Sequence, residues 1–361
     1  MEIDLFYEMS VPPGRGADEA GVFRETIEEI ALADELGFGA AWIVEHHLMP
    51  GYSHATAPEL VLAALSQRTR RIRLGHAVVV MPWHHPLRVA ERAATLDILS
   101  GGRLELGVGR GFSEAEAALF GARPEESRAR TEEGIAVLRA AAAGPIAAAG
   151  RFHDLSGVDV LPKPLQRPHP PLWTAAVSPE SFRWAAQQGL GVLAGPFKPW
   201  FMVRQDLAAY RAAWRAAHGD AAPLPGQNPR FAMTLGVFCL EDGAEARRLA
   251  APAFTWFYRM LLEQTRPVME KLRAGYEYYH RFRRLAGLLG HAVSLPMLER
   301  LGMVVVGDPA HCARRLAALR RAGVDRLLCA VGAGALPTAL TRRSLRLIAE
   351  HMLAPATRSA A

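Results

Sequence analysis

Eight short runs rich in Val, Ile, Leu and Phe recur along the chain, near 3–9, 40–44, 72–80, 103–109, 171–177, 190–195, 231–240 and 325–331. Helical patterns at 25–36, 58–68, 86–99, 125–142, 179–188, 199–217, 244–258 and 309–322 separate them. Such alternation forces parallel pairing, because a parallel neighbour is reached only by a crossover long enough to hold a helix. The run Ala77-Val78-Val79-Val80-Met81 is apolar without alternation, as a strand buried on both faces should be. Eight such units fit a closed (β/α)8 TIM barrel of the α/β class better than an open sheet. A chain of 361 residues, half of them apolar, can bury one large core, so the expectation is a single domain over 1–361. Pro58, Pro86, Pro179 and Pro309 fall at the starts of predicted helices, where a missing N–H costs nothing.

Two connections exceed simple loops: 144–170, rich in Pro and Gly, and 260–303. Long insertions on a barrel often cover its mouth. The second carries Tyr276, Tyr278 and Tyr279 beside Arg273, Arg281 and Arg283, which predicts a helical lid; an extra packed helix with no gating role is the alternative.

The formal charge is +6, but the arginines are spread over helical faces, with no basic tail or interleaved aromatics, so no nucleic-acid groove is expected. Charges or prolines interrupt every apolar run before the roughly 20 residues a membrane span needs. The start Met1-Glu2-Ile3-Asp4-Leu5-Phe6 reads as a strand and not as an export signal, so the expectation is a soluble cytoplasmic protein. Cys239, Cys312 and Cys329 have no CxxC spacing and are expected to be buried, idle thiols.

Reactive residues cluster where strands end. Glu45-His46-His47 closes strand two, His84-His85-Pro86 follows strand three, and Gly107-Val108-Gly109-Arg110-Gly111 closes strand four. Successive side chains on a strand alternate, so Glu45 and His47 should share one face and His46 the other. Three adjacent ligands then converge poorly on one metal. A metal-dependent hydrolase, the competing class, would need His46, His47, His76 or His85, and no metal site is expected. His46 at a barrel mouth can instead donate to a developing anion or move a proton, and it is the candidate catalytic residue. The glycine run lacks the G-x-G-x-x-G spacing of a dinucleotide fold. It offers bare backbone to a flat ring, followed by Arg110, which can pair with a phosphate. After strand five, Ala176-Val177-Ser178-Pro179-Glu180-Ser181 opens a helix, and its N–H groups with the Ser178 and Ser181 hydroxyls form an anion site. Arg128 could supply a second cation. Trp256, between Phe254 and Phe257, is the tryptophan expected nearest an aromatic ligand, with His47 a second candidate for the substrate pocket. No Gly-x-Ser-x-Gly elbow is present, so nucleophilic catalysis has no support.

Read together, these stretches resemble the bacterial luciferase-like flavin monooxygenases. The likeness is carried by Trp42 to His47, Gly75 to Pro82, His85-Pro86, Arg88 to Glu91, Leu96 to Arg103, Gly107 to Gly111, Leu161 to Pro164, Pro171 to Trp173 and Val306 to Pro309. The resemblance implies a barrel that binds reduced FMN at its C-terminal mouth, supplied by a separate flavin reductase. It implies oxygenation of a small organic substrate by O2 through a 4a-hydroperoxide, with the His46 equivalent beside the ring. The equivalents of Arg110, Arg128, Ser178 and Ser181 would cradle the phosphate. Ala77 and Val78, joined by a non-proline cis bond, would support the ring together with Gly109, Ala176 and Val177. Helices 58–68 and 86–99 would pair two subunits into a homodimer. Bacterial luciferase carries cysteine where this chain has Gly109, so light emission is not implied. A relative using a deazaflavin for hydride transfer, and a non-catalytic partner subunit, are the alternatives within the resemblance.

Overall fold

The computed structural model describes residues 1–14, 18–147, 149–275 and 293–353, with the side chains of 267–275 excepted. Its strands are β1 (Glu2–Tyr7), β2 (Ala40–Ile43), β3 (Arg73–Val80), β4 (Leu104–Gly109), β5 (Leu172–Ala176), β6 (Gly191–Ala194), β7 (Phe231–Cys239), β8 (Val304–Gly307) and β9 (Arg326–Cys329). Strands β1 to β7 and β9 pair in parallel in that order, and β9 returns to β1, closing an eight-stranded barrel. The fold is therefore the (β/α)8 barrel that the alternation predicts.

The helices are α1 (Glu19–Leu36), α2 (Pro58–Arg68), α3 (Pro86–Leu99), α4 (Glu114–Leu119), α5 (Ser127–Ala143), α6 (Pro179–Gln187), α7 (Trp200–His218), α8 (Gly243–Gly275), α9 (Leu295–Leu301), α10 (Pro309–Arg321) and α11 (Thr338–Met352). The four prolines singled out in the sequence stand at the first turns of α2, α3, α6 and α10. Among the described residues no helix is long and apolar enough to cross a membrane. The three cysteines are buried and unbridged.

Besides the short α4 and α9 and the final α11, which the sequence reading does not name, two elements depart from it. A ninth strand, β8, lies outside the barrel. The first half of β7 pairs with β6 and β9, whereas its second half runs on beyond the barrel and takes β8, with Gly236 opposite Val304 and Cys239 opposite Gly307. The helix expected to stop at Tyr258 continues to Gly275. Residues 260–275 therefore extend a barrel helix instead of opening a separate insertion. Tyr276, Tyr278, Tyr279, Arg281 and Arg283, on which the predicted lid rests, lie outside the described residues, as does the side chain of Arg273.

The barrel interior is filled at its N-terminal end. Arg326, 1% exposed, is ion-paired through Nε with Asp4 at 2.9 Å and donates through Nη1 to Glu105 at 3.1 Å. Trp42 Nε1 donates to Asp4 at 2.9 Å and Trp173 Nε1 to Glu105 at 2.6 Å. The two indoles meet edge to face at 5.4 Å. A buried charge is tolerable only when paired and hydrogen-bonded, and these contacts supply both.

Candidate active site

At the opposite end the strands open into a cavity of roughly 1630 Å³ that communicates with solvent. Its lining includes His46, Ala77, Val78, Gly109, Arg110, Ala176, Val177, Ser178 and Ser181. These residues come from the ends of β2, β3, β4 and β5 and from the start of α6, where a parallel barrel presents its functional side chains.

Local structure explains each placement. The register between β3 and β4 shifts between His76 and Val79, and the Ala77–Val78 peptide is cis. Val78 then meets β4 where Gly109 has no side chain: a Cβ there would lie 2.5 Å from Val78 Cγ2. Gly111 has φ +73°, a left-handed conformation that glycine adopts without penalty. Ser178 caps α6, accepting from the Ser181 N–H at 3.2 Å. The Ser181 hydroxyl donates to Ser178 O at 2.7 Å and accepts from the Val177 N–H at 3.0 Å. Both serines are buried, so a helix N-terminus and two hydroxyls face one end of the cavity.

The Glu45-His46-His47 cluster splits as strand alternation predicts. Glu45 accepts from His84 Nε2 at 2.6 Å, from His47 Nε2 at 3.3 Å and from the Val80 N–H at 2.8 Å. Burial works against its charge, but those donors outweigh it and hold the carboxyl at about 2. Glu45 is therefore an anion that fixes the loop after β3. His46 turns the other way, with its ring against the edge of Phe112 at 5.5 Å and tilted towards Tyr52 at 6.1 Å. Burial is the main reason its imidazole falls to about 4, so it is neutral at physiological pH.

Three of the residues proposed from sequence are placed elsewhere. His47 packs against Trp83 and Phe120 and does not line the cavity. Arg128 pairs with Glu180 at 2.9 Å and stacks over Trp184, beside the cavity and not in its wall. Trp256 is displaced for a geometric reason. Phe257, Leu261 and Thr265 follow one another at four-residue spacing along α8, and Leu261 and Thr265 reach the cavity; Trp256, one position from that stripe, is rotated away by about 100°. The histidines of the metal reading are also dispersed: His76 is buried within β3, and His85 sits at the start of α3 against His153. Among the described residues no group of three His, Cys, Asp or Glu side chains is placed to hold a metal ion.

The cavity also holds residues that the motifs did not reveal: Glu8, Tyr52, Phe112, Phe197, Thr234 and the α8 pair Leu261 and Thr265. Glu8 follows β1, as His46 follows β2, and the same strand-end logic would have found it.

Comparison with known proteins agrees with this architecture. The family model for luciferase-like monooxygenases matches residues 1–326. A protein of Sinorhizobium fredii, y4wF, is 35% identical over 337 residues, 89% of either chain. The oxygenase component of the flavin-dependent trigonelline monooxygenase of Acinetobacter baylyi is 37% identical over 177 residues, 48% of this chain and 49% of its own. The crystal structure of monooxygenase RslO1 from Streptomyces bottropensis superposes with a TM-score of 0.80 at 30% identity, over 98% of each chain. The chain belongs to the luciferase-like monooxygenase family, and it is an oxidoreductase of that class.

Proposed function

We propose that the chain is the oxygenase component of a two-component system. It takes reduced FMN from a separate flavin reductase and uses O2 to oxygenate a small organic substrate. The observation that carries this reading is that one cavity gathers a neutral histidine, a side-chain-free stretch of backbone and a capped helix N-terminus with two buried hydroxyls and an arginine. An aromatic ring that ends in a phosphate fits that set. The relative from Acinetobacter baylyi, named as an oxygenase component, supports the need for a partner reductase.

In this reading Ser178, Ser181, the first N–H groups of α6 and Arg110 hold the phosphate. Arg128 joins them only by exchanging Glu180 for it. Ala77, Val78, Gly109, Ala176 and Val177 flank the ring. FMN, when bound, supplies the activation of O2 and the transfer of one oxygen atom. Phe6, Val44, Phe112, Leu193, Phe197 and Leu261 exclude water around it. His46, neutral and in the lining, donates a hydrogen bond and moves a proton there. Leu60, Ile98 and Leu99, exposed on α2 and α3, suit a homodimer formed through those helices, and we place the enzyme in the cytoplasm.

Anaerobic titration with photoreduced FMN, and in parallel with a reduced deazaflavin, tests the reading. FMN is expected to bind more tightly, and Arg110→Ala to weaken it by about tenfold or more, as for loss of a charge-assisted pair. Tighter binding of the deazaflavin, or binding of FMN that Arg110→Ala leaves unchanged, would overturn it.

A further inference from the structure

Glu8, the first residue after β1, stands between two cavities. It lines the main cavity with Phe6, and the same two residues line a smaller one enclosed by β1, α1 and the loop after β9. The polar side chains of the smaller cavity are Tyr7, Ser10, Glu25, Thr26 and Glu29, and Glu25 is exposed at the surface. The Glu8 carboxyl is buried and asymmetrically held. Oε1 accepts from the Tyr52 hydroxyl at 2.9 Å, whereas Oε2 has no hydrogen-bond partner and faces His46 Nε2 at 3.6 Å. His46 Nδ1 is likewise buried without a partner. Two buried polar atoms that face each other just beyond bonding distance are costly unless a proton joins them, and such contacts often tighten when a site is filled.

We propose that Glu8 is a neutral carboxylic acid that hydrogen-bonds His46 at Nε2, keeping the imidazole proton on Nδ1, and that the smaller cavity is the route by which this acid exchanges its proton with water. The inference rests on the reading of His46 as the proton-bearing group of the flavin cavity. His46 Nδ1 is closed to solvent in this structure and has no partner. Where a filled site brings an acceptor to it and its proton leaves, the Glu8 O–H bond breaks and an N–H bond forms at Nε2, so the imidazole stays neutral. The carboxylate left behind takes a proton from water through the smaller cavity. Glu8 thus acts through His46, as a positioning residue.

The electrostatics agree. Burial lifts the Glu8 carboxyl to about 8, against the opposing pull of the Tyr52 hydroxyl. The ionisable groups facing it are His46 after β2, Tyr52 in the following loop, Tyr7 on β1, and Glu25 and Glu29 on α1; Glu45 and Arg110 also line the main cavity, as do Thr234 on β7 and Thr265 on α8. Among the described residues Arg110 is the one cation lining the main cavity, and no cation lines the smaller one. Nothing close to Glu8 therefore compensates its negative charge.

Infrared and nitrogen NMR spectra of the protein without flavin test the proposal. The wild type at pH 7 should show a carboxylic-acid carbonyl band that Glu8→Gln removes, and the His46 nitrogens should report a proton on Nδ1. Glu8→Gln, whose amide still donates to Nε2, should keep that tautomer, whereas Glu8→Leu should release it. No band lost in Glu8→Gln, or a proton on Nε2 in the wild type, overturns the assignment. Filling the smaller cavity with Ala333→Leu, or with the milder Ala333→Val if Leu prevents folding, should slow deuterium uptake by the Glu8 band about tenfold; unchanged uptake removes the route. These readouts need no bound FMN, so a failure of the wild type to bind FMN would refute the flavin reading while leaving the Glu8 result standing.

Discussion

At the scale of single residues, the site depends on what is missing as much as on what is present. Gly109 lets β4 pass Val78, and any side chain there must displace it. Gly109→Cys should cost about 1–3 kcal/mol, as overpacking does, and, on the proposed reading, should weaken FMN binding by filling the face offered to the ring. Thermal unfolding and anaerobic titration of the variant check both, and a variant as stable as the parent would show that Val78 yields freely. His46 and the two serines were legible because each sits at a junction that periodicity marks. Glu8 stands at such a junction too, but a lone glutamate at the end of an apolar run belongs to no motif and reads like a solvated carboxylate. Trp256 was misplaced because its aromatic neighbours suggested a pocket, when the angular position on α8 decides which side chain enters.

At the scale of elements, periodicity located every barrel strand, since burial on both faces leaves β3 and β7 mostly apolar, whereas the final helix α11, which follows the last strand, went unnamed. The four-residue β8 escaped notice. Met303-Val304-Val305-Val306 is β-branched and readable, but the eight-strand count was already complete, and pairing beyond the barrel follows only from the nine-residue length of β7. The length of α8 was hidden too, because Pro252 and Pro267 both occur within it and proline ordinarily argues for a boundary. The start of α6 joins stability to ligand binding. Ser178→Ala removes its cap and should cost about 1 kcal/mol, measured by chemical denaturation, and should weaken reduced FMN in the same protein. If stability falls while affinity is unchanged, the hydroxyl is a cap alone.

At the scale of the molecule, ionisation ties stability to pH. Burial raises Glu8 and Glu29 to about 8 and Asp4 to about 7, far above the ordinary carboxylate range, and lowers His46 and His76 to about 4. Well above pH 6.5 the histidines are neutral both folded and unfolded, so only the carboxyls matter. The folded chain keeps protons on these three carboxyls that the unfolded chain has released, and stability falls as pH rises towards 8, by up to about 1.4 kcal/mol per unit for each group. Below pH 6.5 the histidines act in the opposite sense, because the unfolded chain binds the protons. The melting temperature of the flavin-free protein should therefore drop between pH 6.5 and 8, and Glu8→Gln should reduce the slope; a flat profile in the wild type would mean that these carboxyls are ionised in the folded chain. Arg326→Met leaves Asp4 and Glu105 without their shared cation and should destabilise by about 3–5 kcal/mol, read from denaturant unfolding, with the distant cavity at the other end of the barrel otherwise unchanged.

The ring of charge and indole around Arg326 also governs traffic. It stoppers one end of the barrel, so the vessel has a floor, and molecules larger than water come and go by the rim. A guest seated deep would then enter and leave through the same opening as anything that lies above it.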